Sequence, residues 1–394
     1  MSGVQTSSRL RRDERVMVGL LIVVAAAIVA GHLSWPSPLQ FLLSVAAVIP
    51  LAGLIGVATE ELSDRLGGRI GGLFNATFGN APDILVGVFG VQKGLIPLVK
   101  ATLVGALISN TALIMGLCFV VAGIAHRRPR FDRREAGHHG VLLLLTVAAL
   151  LFPTVGAFVI CGSQHCGGPS SPAAIQAISV GISLILLVIY AAYVVFGIFG
   201  LEGRGDRRDR EGSVARRMGA AAAGGSRWPV WVSLLILGGA TVALVPVVDI
   251  LTTAVTPVTT ALGWTQVFVG VVVVANAGNA AEAYAAIRFA LQRQSSPSPG
   301  DESGLDLSIS IASASSVQIA TFVLPVVVLY SLFVHPMTLA FSGVEVAILG
   351  LLSIVFGAIC HDGESNWLEG AQLLALYGMA AVVFFALPVA AFGT

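Results

Sequence analysis

The chain contains about eleven apolar runs that are each long enough to cross a lipid bilayer as a helix. A spanning helix needs about 20 mainly apolar residues, and Gly, Pro or charged residues separate these runs. Only 11% of the 394 residues are charged, whereas soluble domains carry about 25%. The sequence therefore predicts an all-α polytopic membrane protein. The predicted spans cover approximately 16–34, 39–60, 68–92, 95–125, 139–160, 173–201, 229–255, 264–292, 305–334, 337–360 and 367–392.

The positive charges of the chain cluster in loops that would share one face of the membrane. Arg residues are concentrated in the N-terminal segment, in the loop after the fourth span and in the linker 202–227. The loops 161–172 and 256–263, on the other face, contain no Lys or Arg. Because cytoplasmic loops carry the excess of Lys and Arg, we expect the N-terminus in the cytoplasm. An odd number of spans then places the C-terminus outside, and we expect the host membrane to be a bacterial plasma membrane.

A short motif with a membrane-embedded acid occurs twice. Gly79-Asn80-Ala81-Pro82-Asp83 has a near copy 199 residues later, Gly278-Asn279-Ala280-Ala281-Glu282. A charge at this depth costs at least about 2.5–3.5 kcal/mol on insertion scales, so such residues usually mark a substrate pathway. The loop after the first copy would face outside and the loop after the second copy inside. The two copies are therefore predicted to be inverted repeats with broken helices, a common plan of secondary transporters.

The residue types around both motifs favour a hard divalent cation. Each copy is followed by a helix with a cluster of hydroxyl and amide side chains, and an interrupted helix can also offer backbone carbonyls. Ca²⁺ takes six to eight oxygen ligands of this mixed kind, and no His or Cys accompanies the motifs as a Zn²⁺ or Cu⁺ site would require. The predicted cation site comprises Asp83, Glu282, Asn80, Asn279, Gly79, Gly278, Ser109, Asn110, Ser315, Ser316 and Gln318.

Asp83 and Glu282 also suggest how transport would be coupled to protons. Two nearby carboxylates repel each other, and either two protons or one divalent cation can neutralise them. Competition for the same oxygens would yield exchange without a cofactor, with Ca²⁺ and H⁺ as the transported species. The alternative is that both acids pair with Arg or with backbone inside the bundle. Arg288 is a poor partner because it lies six residues after Glu282, toward the cytoplasmic end.

These motifs resemble a known family over nearly the whole predicted membrane domain. They are similar to the two α-repeats of the cation/proton exchangers, the CAX-type Ca²⁺/H⁺ antiporters of the calcium/cation antiporter superfamily. The resemblance is carried by Gly79-Asn80-Ala81, Gln92-Lys93-Gly94, Val99-Lys100-Ala101, Gly105, Ser109-Asn110 and Gly116 in the first repeat, and by Gly278 to Glu282, Ser315 to Ala320 and Pro325 in the second.

The resemblance implies a fold, an activity and a division of the chain. It implies Ca²⁺/H⁺ antiport, with Asp83 and Glu282 as the shared ion and proton site. It also implies a peripheral first helix followed by two inverted five-helix repeats with broken helices at the centre. The predicted units are a cytoplasmic N-terminus (1–15), the peripheral helix (16–38), the first repeat (39–201), a basic cytoplasmic linker (202–228) and the second repeat (229–394).

The chain departs from the family pattern at three places. The first acid is Asp83 instead of the usual Glu, and Ala283 follows Glu282 where the family has His. The linker between the halves is basic, whereas that of the family is often acidic. The first two departures lie beside the predicted cation site.

Other functions remain open at this point. A Na⁺- or K⁺-coupled exchanger on the same fold, a cation channel and a non-transporting membrane anchor are each compatible with the spans. The sequence shows no nucleotide-binding loop or catalytic constellation, so we expect no enzyme activity. We also expect no nucleic-acid partner, contact with the lipid bilayer and a possible homo-oligomer.

Several other ionisable or reactive residues lie in or near the spans. Asp249 could line the vestibule opposite the cytoplasm, and Glu345 could be a buried hydrogen-bond anchor or an auxiliary proton group. Cys161 and Cys166 could form a loop disulfide or remain free thiols.

Overall fold

The computed structural model describes residues 19, 21–66, 74, 77–127, 129–161, 173–199, 228–291 and 304–388. Apart from one β-bridge between Arg130 and Glu364, the regular structure in these residues is helical, which confirms the predicted all-α class. The helices are numbered α1 (Leu21–His32), α2 (Ser37–Leu66), α3 (Ala81–Gln92), α4 (Ile96–His126), α5 (Arg133–Cys161), α6 (Ala173–Phe199), α7 (Val230–Leu262), α8 (Gln266–Gly278), α9 (Ala280–Ala290), α10 (Gly304–Ser331), α11 (Gly343–Ile359) and α12 (Trp367–Ala386).

Seven of these helices are long and apolar enough to cross a membrane by themselves. The helices α8 and α9, joined through a 60° bend, form an eighth candidate span. Three shorter apolar helices, α1, α3 and α11, lie where the sequence predicts the first, third and tenth spans. The positions of the helices thus agree with the predicted order, while the total of eleven spans stays a prediction.

Two predicted boundaries differ from the structure. The first is the end of the seventh span, which is predicted near residue 255, whereas α7 continues through most of the predicted loop to Leu262. The tenth span was expected to begin near residue 337, but residues 332–342 form an irregular segment and α11 begins at Gly343. The side chain of Ser342 accepts a hydrogen bond from the backbone N–H of Glu345, whose carboxylate accepts from the Ser342 N–H in return. This reciprocal cap fixes the helix start at that point. The N-terminal segment 1–15 and the linker 202–228, except Trp228, lie outside the described residues.

The apolar interior consists of two main clusters of buried side chains. One cluster joins α4 and α8 to α10 and α11, with Leu103, Val271 and Val323 among its members. The other lies where α2 packs along α7, with Leu51 and Leu251 fully buried. Residues of α3 and α8 contribute to both clusters, so the two helices that carry the repeated motif lie between them.

The helices α4 and α8 cross with their backbones in direct contact. A Cβ atom on Gly105 would lie 2.5 Å from the Cα of Val271, and one on Gly270 would lie 3.0 Å from the Leu98 carbonyl oxygen. Small residues at a crossing allow such close approach, which is typical of helix pairs in membranes. The crossing brings the polar cluster of the first repeat next to the motif of the second.

Candidate functional site

Both copies of the repeated motif break a helix at their asparagine. Asn80 (φ −91°, ψ 14°) and Asn279 (φ −83°, ψ 6°) leave the helical conformation in the same way, in a sparsely populated region of backbone space. A new helix begins at the next residue, α3 at Ala81 and α9 at Ala280. The predicted helix-breaking property of both motifs is therefore confirmed.

The two acids occupy equivalent positions in the helices that follow the breaks. Asp83 and Glu282 each lie in the first turn, three residues after the asparagine. The N-terminal turn of a helix carries the positive end of its dipole and free N–H groups, which stabilise a negative charge or its ligand there. The same turn accommodates Pro82 without losing a hydrogen bond. The fold thus offers each carboxylate a favourable electrostatic position inside an apolar bundle.

The two asparagines do not cap their helices with their side chains, although Asn is a common cap residue. Instead, each side chain reaches into the other half of the chain. Asn80 Nδ2 donates to Gln318 Oε1 over 2.7 Å, and Asn279 Nδ2 donates to Asn110 Oδ1 over 3.0 Å. Asn110 Nδ2 in turn donates to Ser315 Oγ over 3.1 Å. The predicted amides and hydroxyls of both halves therefore meet in two buried sets of hydrogen bonds, Asn80–Gln318 and Asn279–Asn110–Ser315, which are together called the amide network.

The carboxyl groups of the two motifs also come together. Asp83 is only 4% exposed, and its Oδ1 lies 3.2 Å from the position that a Cβ on Gly278 would occupy. Glu282 is half-buried, its charge interacts with that of Asp83, and its Oε2 is buried without a hydrogen-bond partner among the described residues. An unpartnered buried carboxylate oxygen is costly, so this atom is placed to receive a ligand or a proton.

Neither acid forms an ion pair with a Lys or Arg in the described part of the chain. Arg288, which the sequence marks as a poor partner for Glu282, is exposed. Pairing with a basic residue is therefore not what stabilises the two carboxylates within the described residues. Glu282 does accept a hydrogen bond from its own backbone N–H, which satisfies only part of its capacity.

Widened helical turns occur beside the polar clusters of both halves. A π-helical turn covers Ser109–Ile114 in α4, and another covers Ile319–Val323 in α10, directly after Gln318. A third covers Val269–Val274, just before the second motif. Such turns are rare and frequently mark functional sites, because they redirect side chains and backbone groups. The sequence analysis did not predict them, since no residue pattern in this chain signals a π-turn.

The remaining predicted ligands have different surroundings. Ser316 is buried, and its hydroxyl donates to the carbonyl oxygen of Ala312 in the same helix. Ser109 donates to Asn276 Oδ1 over 2.6 Å. Gly79 is half-buried in the turn before Asn80. Asn276 was missed by the sequence analysis, although an amide inside the apolar run that precedes Asn279 is a signal that could have found it.

Two other acids have partners outside this network. Asp249 pairs with Lys93, whose Nζ lies 2.7 Å from Asp249 Oδ1 and 2.8 Å from Thr252 Oγ1. Glu345 accepts hydrogen bonds from the backbone N–H and hydroxyl of Ser342, so it is a hydrogen-bond anchor at a helix start rather than a mid-span residue. Among the cysteines, Cys118 and Cys360 are free and buried, whereas Cys166 lies outside the described residues.

Taken together, the site offers oxygen atoms of three kinds: two carboxylates, amide carbonyls and hydroxyls. Such a donor set suits a hard cation, and its irregular geometry suits Ca²⁺ better than Mg²⁺, which demands a near-ideal octahedron. A buried carboxylate pair between broken helices defines the class of protein as a membrane cation transporter.

Comparison with known proteins gives the family. The family model described as "Sodium/calcium exchanger protein" matches residues 36–199 and 232–386, so the chain belongs to this family of membrane exchangers. It is 31% identical to a Ca²⁺/H⁺ antiporter of Aphanothece halophytica, covering 95% of this chain and 97% of the relative. It is 33% identical to the Ca²⁺/H⁺ antiporter ChaA of Bacillus subtilis (strain 168), covering 93% and 98%.

A solved structure shows the same fold. The crystal structure of the Ca²⁺/H⁺ antiporter protein YfkE superposes with a TM-score of 0.74 at 32% identity, covering 93% of this chain and 99% of that one. These relatives are transporters rather than enzymes, in agreement with the expected absence of a catalytic constellation. The resemblance to CAX-type exchangers is thereby confirmed.

Proposed function

We propose that this protein is a secondary antiporter that exchanges Ca²⁺, or a similar divalent cation, for H⁺ by alternating access. The observation that carries the proposal is that Asp83 and Glu282 lie in equivalent first turns after two helix breaks, with the Asp83 carboxylate against Gly278 of the second motif and amides of both halves beside them. The Ca²⁺/H⁺ antiporters that are 31–33% identical over more than nine-tenths of the chain support the same activity.

The charge balance of the site explains the exchange. Two ionised carboxylates in a low-dielectric interior repel each other and need two positive charges. One Ca²⁺ supplies both, with the amides and hydroxyls completing its coordination, and two protons supply them equally well. Release of one species to one side therefore prepares the site for the other. No resident cofactor is required in this cycle.

We further propose that the two halves form inverted repeats with the N-terminus inside. Contacts between segments support the alternating order of the spans, because each joins segments predicted on the same face. The Arg-rich segments support the cytoplasmic position of the N-terminus. On the predicted outer face, Lys93 contacts α7 through Asp249, and Gln92 donates to the Tyr330 hydroxyl. On the predicted inner face, Arg130 pairs with Glu364, and the backbone N–H of Asp132 donates to Asp306. A bacterial plasma membrane agrees with this orientation.

Transport assays on everted vesicles test the proposed activity. With an imposed pH gradient, acidic inside, the vesicles should accumulate Ca²⁺, and collapse of the gradient by an ionophore should release it. Asp83→Asn and Glu282→Gln should each abolish uptake, because each leaves only one ionisable carboxylate for two protons. Amounts of each variant in the membrane are measured by immunoblotting, with Asp249→Asn as a control acid outside the site.

The same vesicles distinguish the alternative functions. Ca²⁺ flux that depends on a Na⁺ or K⁺ gradient and not on pH would select a Na⁺- or K⁺-coupled exchanger. Flux that dissipates the Ca²⁺ gradient without counter-ion movement would select a channel. Undiminished proton-driven uptake by the doubly neutral Asp83→Asn/Glu282→Gln protein would refute the shared-carboxylate mechanism. Light scattering of the purified protein measures whether it is a monomer or a homo-oligomer.

A further inference from the structure

The side chain of Asn276 connects the candidate cation site to the last helix. Its Nδ2 donates to the Val272 carbonyl oxygen over 2.7 Å and to the Tyr377 hydroxyl oxygen over 2.5 Å. Its Oδ1 accepts a hydrogen bond from Ser109 Oγ over 2.6 Å. Both hydrogens of the amide nitrogen and one lone pair of its oxygen are therefore used.

These partners determine the positions of the nitrogen and the oxygen in the side-chain amide of Asn276. The Val272 oxygen belongs to a backbone carbonyl, which can only accept, so the group that faces it must be the NH₂. The amide oxygen must then face Ser109, and because this oxygen carries no hydrogen, the Ser109 hydroxyl must donate. The direction of the Ser109 proton thus follows from the partners and not from an arbitrary choice of rotamer.

A hydroxyl that binds a cation must turn its lone pairs toward the metal and its proton away from it. Ser316, in the other half, directs its proton to the Ala312 carbonyl oxygen of its own helix. Ser109 has no such bond to its own helix among its described contacts and directs its proton to Asn276 instead. In both serines a protein acceptor thus holds the hydroxyl proton: a carbonyl oxygen of the same helix for Ser316 and the Asn276 amide for Ser109.

We propose that Asn276 is a positioning residue for cation binding. By holding the proton of Ser109, it leaves the lone pairs of that hydroxyl for the cation, and the bond to the Val272 carbonyl oxygen of its own helix is sufficient to hold Asn276 in place. This inference rests on the proposed function, in which Ser109 is one of the oxygen ligands. Partners that orient metal ligands typically contribute about 10- to 100-fold in metal affinity.

Transport kinetics of four purified variants in proteoliposomes test this role. Ca²⁺ uptake is measured against Ca²⁺ concentration at a fixed pH gradient for Asn276→Leu, Ser109→Ala, the double variant and Tyr377→Phe. Asn276→Leu should raise the apparent KM for Ca²⁺ about tenfold or more, with a smaller change in the maximal rate. Since Asn276 acts through Ser109, the double variant should be no worse than the more affected single variant.

Tyr377→Phe is the matched control, because it removes one hydrogen bond of the same amide and leaves the bond to Ser109 intact. Its KM should stay within about twofold of that of the unmodified protein. If Asn276→Leu does not fold, as judged by size-exclusion chromatography in detergent, Asn276→Ser replaces it, since this short side chain cannot reach Ser109.

Three results would overturn the inference: an unchanged KM in a folded Asn276 variant, effects of the two single variants that multiply in the double variant, or a KM in Tyr377→Phe as high as in Asn276→Leu. The last two would assign Asn276 a structural role. Failure of the unmodified protein to take up Ca²⁺ under a pH gradient would instead refute the proposed function, so the two failures are distinguishable.

Discussion

At the scale of single residues, the site depends on a glycine that leaves room for a carboxylate. Gly278 is buried, and the Asp83 carboxylate lies against its backbone, where the two repeats meet. Asp83 is one methylene shorter than Glu, so in the proposed site it must approach the second motif closely to share a cation with Glu282. The space above Gly278 is what permits this approach.

Replacing Gly278 with Ala should weaken cation binding without preventing folding. The new methyl group would lie 3.2 Å from Asp83 Oδ1, closer than most real Cβ contacts, so the carboxylate must move by a few tenths of an ångström. Displacement of a ligand by this amount should raise the apparent KM for Ca²⁺ by roughly tenfold. Uptake measured against Ca²⁺ concentration in proteoliposomes gives the KM.

Gly238→Ala in α7 is the matched control, because nothing lies within 4 Å of its new Cβ and its KM should not change. Equal KM values for Gly278→Ala and the unmodified protein would show that the Asp83 carboxylate is free to shift, and would contradict the close packing proposed for the site.

The sequence was sufficient to select the polar residues that the structure brings together, but not their mutual contacts. Asn80, Asn279, Asn110 and Ser315 could be selected because polar groups inside apolar runs are costly unless they have a use. Their exchange of hydrogen bonds across the two halves depends on how the helices cross, and no local pattern contains that information. Tyr377, which contacts Asn276 from α12, gave no signal because a single Tyr in an apolar run belongs to no repeated motif.

At the scale of helices, the crossing of α4 and α8 determines the position of the network. Gly105 and Gly270 allow the two backbones to touch, and this contact sets the distance between Asn110 and Asn279. In a bilayer, helices associate through such packing and not through the hydrophobic effect, because lipid is as apolar as the side chains. A larger residue at the crossing would therefore act on both stability and transport.

Gly270→Leu should lower thermal stability and transport together. Its side chain would meet the Leu98 carbonyl oxygen and the Thr102 backbone nitrogen, each 3.0 Å from the Cβ position, and backbone cannot move aside as a side chain can. Overpacking of this kind costs about 1–3 kcal/mol or more. The midpoint of thermal unfolding in detergent should fall by several degrees relative to Gly239→Leu, whose new side chain has open space. Equal midpoints for the two variants would contradict the backbone contact.

Helix boundaries were predictable only where a local signal marks them. The breaks at Asn80 and Asn279 follow from Gly-Asn in both copies and from Pro82 in the first. The start of α11 at Gly343, instead of near residue 337, was not predicted, because the residues before Gly343 are as apolar as a membrane span. Their irregular backbone is tolerated because side chains of other helices accept hydrogen bonds from its N–H groups. The N–H of Leu339 donates to the Ser179 hydroxyl, and that of Phe341 donates to the Thr154 hydroxyl.

At the scale of the whole molecule, the loops are tied to one another at both ends of the bundle. Lys93 binds α7 through Asp249 and two threonines, and the segment around Arg130 pairs with that around Glu364. Contacts of this kind hold residues of the first and second halves of the chain together at the same end of the bundle. The order of helices was predictable from hydropathy, whereas these ties were not, because each joins positions more than 150 residues apart.

The proposed orientation predicts which ends are accessible from outside the cell. In a variant whose four cysteines are replaced, Phe333→Cys should react with an impermeant maleimide in intact cells, and Asp362→Cys only in everted vesicles. Both positions are exposed, so accessibility depends on the side of the membrane alone. Labelling of Asp362→Cys in intact cells, with Phe333→Cys protected, would invert the proposed topology. Labelling of both would contradict the separation of the two loops by the bilayer.

The exchange of amides between the halves has an evolutionary consequence. Asn80 donates to Gln318 and Asn279 donates to Asn110, so each copy of the motif is completed by a polar helix of the other half of the chain. The two halves therefore cannot change independently at these positions, because a change on one side leaves an unsatisfied amide on the other. Selection would then act on the repeats as a single unit, and a tolerated substitution at Gln318 should be accompanied by one at Asn80.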